Sequence, residues 1–125
     1  MWYQFLLVAC GGALGAVARY STGILVRLCL TENWPLATLL VNILGSFGIG
    51  LVFVLLERSM VHLDFRSLVV IGFFGAFTTF STFSLELLHM IERGEGIHAA
   101  VYAGLSLLGC LCGVMLGVYA GRVLS

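Results

Sequence analysis

The chain has 125 residues, 61% of them hydrophobic and only 10% charged, with a mean hydropathy of +1.12. A soluble domain carries about 25% charged residues. Here six Asp and Glu offset six Arg and no Lys is left to build a basic face, which excludes an ordinary cytosolic enzyme and a nucleic-acid binder. A bilayer core takes roughly 20 apolar residues per helical span, so the length admits four spans and no soluble domain beside them.

The first apolar stretch predicts a helix over about residues 2–28. Leu7-Val8-Ala9-Cys10-Gly11 has the look of a lipoprotein box, but the segment before it holds no Lys or Arg and is too short for a signal peptide. Gly11 and Gly15, four apart, allow another backbone to approach closely. Two readings are open for Arg19: its head snorkels to an interface, or it lines a wet vestibule and attracts anions. A polar link, Thr31-Glu32-Asn33-Trp34, leads to Pro35, which opens a second helix over about 35–57. Within it Asn42 sits among Leu39, Leu40, Val41, Ile43 and Leu44. An amide in such company needs partners, either as an interhelical hydrogen bond or as the lining of a permeation path.

The third helix, over about 67–92, carries the densest signal: Gly72-Phe73-Phe74-Gly75-Ala76-Phe77-Thr78-Thr79-Phe80-Ser81-Thr82-Phe83-Ser84. Glycines followed by hydroxyls in mid-membrane predict a helix broken near its middle. Unwound backbone is tolerated at that depth only when buried in protein or lining a cavity, and its freed carbonyls can coordinate a cation. Phe80 and Phe83 share a face of the helix that resumes. Their ring edges are electropositive and suit contact with a small anion. The fourth helix, over about 97–123, has Gly109, Gly113, Gly117 and Gly121 on one stripe, and Tyr102, Ser106 and Cys110 at successive four-residue steps on one face. Glu86 is the only carboxylate well inside a span; proton coupling is one reading of it, and pairing with hydroxyls or reaching an interface is the ordinary one.

Orientation signals are weak. With both termini on one side, that side owns Arg58, Arg66 and Arg122 and the other Arg27 and Arg93, so the positive-inside rule gives little instruction. Insertion both ways up would make an antiparallel homodimer available, whereas a single unpaired Arg sufficing to orient the chain would not. Cys10, Cys29, Cys110 and Cys112 form no CxxC, and no nucleophile–base pair or metal constellation is apparent.

Taken together, Gly11-Gly12-Ala13-Leu14-Gly15-Ala16 with Arg19-Tyr20, then Thr38-Leu39 with Val41-Asn42 and Gly45, then Gly72-Phe73 and the run Thr78 to Ser84 with Glu86, resemble the CrcB/Fluc fluoride channels over essentially the whole chain. The resemblance implies an all-α, non-enzymatic protein of the prokaryotic (inner) membrane. It implies four transmembrane helices in an antiparallel dual-topology homodimer, with two fluoride pathways and a central structural sodium ion. On that footing Asn42, Phe80, Phe83, Tyr102 and Ser106 line the fluoride path, Arg19 is the vestibule arginine, and the backbone carbonyls of Gly75 and Thr78 hold Na+; no organic cofactor is implied. Ala37 and Cys110 depart from the family pattern, which usually has Gly and often Ser there. The function so implied is passive export of cytosolic fluoride. A small four-span drug/proton antiporter shares the size, but it needs a carboxylate in the first span, and none occurs between Met1 and Thr31.

Overall fold

The computed structural model describes residues 1–30 and 34–125; the first predicted link, Thr31-Glu32-Asn33, lies outside them. Among the described residues every regular element is helical. Helix α1 is Trp2–Cys29 and α2 is Leu36–Glu57, preceded by Pro35 as its cap residue. The third apolar stretch divides into α3, residues 63–77, and α4, Phe80–Glu92; α5 is Gly96–Leu124. Counting α3 and α4 as one crossing, four segments are long and apolar enough to span a membrane. At about 1.5 Å per residue the 28 residues of α1 outrun a hydrocarbon core of about 30 Å, so its ends reach the headgroup region.

Two helix pairs form the body. Lipid offers helices no hydrophobic reason to associate, so close backbone packing must hold them together. In the first pair, α1 lies against α3: a Cβ on Gly11 would land on Leu68 O, one on Gly15 on Phe73 O, and one on Gly72 at 2.9 Å from Val8 O. In the second, the glycine stripe of α5 lies on α2. Gly117 faces Phe47 O, a Cβ on Gly113 would stand 3.0 Å from Ile43 O, and Gly50 of α2 reciprocates against Val114 O. Glycine is required at these places for proximity, not for conformational freedom.

The bends follow from local chemistry. Between α4 and α5, Glu95 N donates to Met90 O (2.9 Å) and Gly94 N to Ile91 O (3.0 Å), with Gly94 at φ 77°. That is a Schellman turn, whose left-handed residue favours glycine. Arg93 Nε donates to Glu95 Oε1 at 2.6 Å, and the guanidinium holds this carboxyl below the usual carboxylate range. The same turn ends α2, with Ser59 at φ 55° in the left-handed position. Helix α3 begins at Leu63, ahead of the residue-67 start that hydropathy suggests, because His62 Nδ1 caps it by accepting from Asp64 N (3.1 Å).

Within α3, Arg66–Phe74 is wound as a π-helix. Such wide windings are uncommon and recur at functional sites. This one is the stretch against which α1 packs its glycines.

Candidate functional site

The third span is interrupted at Thr78 and Thr79. Both are extended, at φ −89°, ψ 157° and φ −152°, ψ 117°. The glycines do not make the break: Gly72 and Gly75 are helical, and Gly72 serves the contact with α1. Instead the backbone groups freed at the break find side-chain partners from other helices. Asn42 of α2 donates Nδ2 to Thr79 O (3.1 Å) and accepts Thr79 N on Oδ1 (2.8 Å). The amide thereby acts like one rung of a β-ladder against a single residue. Arg19 of α1 donates Nε to Ala76 O (3.1 Å). Thr78 folds its own hydroxyl back onto Phe74 O (2.9 Å), and Thr79 Oγ1 caps α4 by accepting Thr82 N (3.2 Å). A buried unpaired backbone group costs about 1–3 kcal/mol, so these contacts hold the interruption open at membrane depth.

Two clefts meet at Thr79, which lines both. The larger, of about 360 Å³, is walled by Arg19, Arg27, Thr38, Thr79, Thr82 and Glu86 among others. The smaller, of about 230 Å³, is lined by Asn42, Ser46, Ile49, Thr78, Thr79, Phe80 and Cys110. Asn42 uses one of its two amide hydrogens on Thr79 O, and the second remains for whatever enters the smaller cleft.

Phe80 and Phe83 sit together, ring centroids 5.5 Å apart and tilted by 45°. Their surroundings differ. Phe80 is 78% exposed, whereas Phe83 is half-buried against Tyr102, 5.1 Å between centroids. Tyr102 is fully buried in a cluster with Met90 and Ala99, and its hydroxyl donates to Glu86 Oε1 at 3.1 Å. Ser106, one turn further along α5, is buried, and among the described residues its Oγ is the buried side-chain oxygen left without a hydrogen-bond partner. Gly75 is exposed and Thr78 half-buried.

The sequence-predicted residues thus fall into three places. Asn42, Thr78 and Phe80 share the smaller cleft; Arg19 and Glu86 share the larger; Phe83 and Tyr102 pack together between α4 and α5, with Ser106 buried one turn along α5. Sequence reasoning passed over Thr79, the hinge between the clefts, although it stands beside Thr78 in the run already singled out. Arg27, inside the predicted first helix, was weighed only as a charge on one side of the membrane. The signal that it belongs to the cleft is its four-residue step from Gly23 and Arg19 along α1.

The model of the family described as "CrcB-like protein, Camphor Resistance (CrcB)" matches residues 6–118. Among curated relatives, a protein of Coxiella burnetii (strain Dugway 5J108-111) is 43% identical over 121 residues, covering 95% of this chain and 98% of its own length. One of Shewanella amazonensis is 43% identical over 112 residues, 90% of each chain. One of Magnetococcus marinus is 45% identical over 122 residues, 97% of this chain and 99% of the relative. All three are named fluoride-specific ion channel FluC. With the match running through every span and through both halves of the interrupted one, the chain belongs to the CrcB family.

Proposed function

We propose that this multi-pass membrane protein is a fluoride-selective ion channel that lets cytosolic fluoride leave the cell down its electrochemical gradient. The observation that carries the reading is the interrupted third span, locked by Asn42 and opening a cleft lined by an amide, hydroxyls and the exposed ring of Phe80. The names of the relatives supply the ion. Nothing in the fold favours the antiporter, whose first-span carboxylate is missing from α1.

Fluoride is small and strongly hydrated, so its path must replace water's hydrogen bonds as the ion sheds them. The spare Asn42 N–H and the unpartnered Ser106 hydroxyl are donors of that kind. Tyr102 is engaged with Glu86 and gives its hydroxyl to an anion only by exchanging partners. The edges of Phe80 and Phe83 add weak positive contacts. Several weak sites in series favour conduction over trapping.

Two further parts of the reading concern assembly. A second, inverted copy would cover Phe80 and Gly75, both of which a single chain leaves exposed. A structural Na+ fits the donors: Thr79 N is turned to Asn42 and away from Gly75 O, and hard carbonyl oxygens such as those of Gly75 and Thr78 suit a hard cation. Bound there, sodium would neutralise carbonyl dipoles that no N–H among the described residues satisfies.

The test is flux from liposomes loaded with fluoride or chloride and clamped with a potassium ionophore. Rapid fluoride release with chloride retained is expected, and Phe80→Ile, which removes an aromatic edge without unsettling a core, should suppress the fluoride release. Equal release of the two halides overturns the proposal.

A further inference from the structure

We infer that Arg27 sets the sign of the electrostatic field in the larger cleft and thereby the rate at which small inorganic anions enter it. The inference rests on the channel reading above and assigns to that channel a residue that collects its ion.

Among the described residues, that cleft is walled by two guanidinium groups, Arg19 and Arg27, and one carboxylate, Glu86. Arg19 lies at the inner end, its Nε bound to Ala76 O, and Glu86 accepts the Tyr102 hydroxyl. As formal charges these two cancel, and Arg27 decides the balance. It stands in the last turn of α1, exposed, with no hydrogen-bond or ion-pair partner among the described residues. Gly23 separates it from Arg19 on the same wall, and a Cβ added to Gly23 would meet nothing within 4 Å. The space between the two cations is therefore open to an ion. A cation at a helix C-terminus also favours the helix dipole, and that bland role predicts a stability effect and no effect on ion entry.

Low-dielectric walls focus the field of lining charges and raise the local concentration of counter-ions. Screening sets the range: the Debye length is about 30 Å at 0.01 M salt and about 3 Å at 1 M. A residue that works by field alone must lose its influence across that interval.

Initial fluoride efflux from proteoliposomes, measured for the parent, Arg27→Gln, Arg27→Lys and Arg27→Glu in an impermeant salt at about 0.01 M and again near 1 M, tests this. Expected at low salt are a loss of roughly threefold or more for Arg27→Gln, a larger loss for Arg27→Glu and parental flux for Arg27→Lys, with the four converging at high salt. Parental flux in Arg27→Gln at low salt overturns the inference. So does a deficit that persists at high salt, or one shared by Arg27→Lys, since either marks a structural role. A parent that passes no fluoride refutes the channel reading itself, so the two failures are distinguishable.

Discussion

The two-bond clasp between Asn42 and Thr79 gives the sharpest quantitative expectation. Asn42→Ala removes both the donor to Thr79 O (3.1 Å) and the acceptor from Thr79 N (2.8 Å), and leaves two backbone groups at membrane depth without partners. At about 1–3 kcal/mol for each orphaned group the gross cost is about 2–6 kcal/mol. Thr79 lines both clefts, so water entering from either side restores part of this, and a net loss of about 2–3 kcal/mol is expected. Thermal or denaturant unfolding in detergent micelles, followed by near-ultraviolet circular dichroism, reads that loss directly. Asn42→Asp supplies the contrast. It keeps an oxygen for Thr79 N, loses the donor to Thr79 O and sets a negative charge in the smaller cleft. Its stability should fall by about half as much as that of Asn42→Ala, while its fluoride efflux should fall further, because an anion would meet an anion. An Asn42→Ala protein with parental unfolding would refute the accounting of backbone groups at the break. Parental flux in Asn42→Asp would refute the placing of Asn42 on the ion's route.

Two other substitutions probe the packing and the buried polar pair. Gly117→Leu places a side chain where Phe47 O now lies; α2 and α5 must separate, at a cost of about 3 kcal/mol or more, and the protein should fail to accumulate as a monodisperse species in size-exclusion chromatography. Gly104→Ala, whose Cβ meets nothing within 4 Å, is the control and should unfold within about 1 kcal/mol of the parent. Tyr102→Phe deletes the donor to Glu86 Oε1 and should destabilise by about 1–2 kcal/mol. Combined with Glu86→Gln in a double-mutant cycle it should show a coupling above about 0.5 kcal/mol; additive losses would mean that the bond contributes nothing.

The four spans and the position of the interruption were legible because both are local. Apolar length announces a span, and a Thr-Thr pair at the head of a run of hydroxyls marks where a helix can end. The cause of the interruption was not legible, since it depends on groups far apart in sequence. Gly72 and Gly75 looked like the breaking residues, yet both are helical. Thr79 is held extended by Asn42, 37 positions away, with Arg19, 57 positions before Ala76, taking a freed carbonyl nearby. The π-winding of Arg66–Phe74 is of the same kind: its residues have no pattern that separates them from an α-helix, and the contacts that accompany it come from the glycines of α1. Asn42 and Arg19 stood out in the sequence as polar groups that a bilayer should not hold, and each had a structural reading, an interhelical hydrogen bond or a snorkelling head, beside one toward the ion. The structure gives both a prior engagement with backbone. A polar residue in a membrane helix must first satisfy the chain, and only its surplus, here one amide hydrogen and the remaining guanidinium N–H groups, is left for a permeating anion.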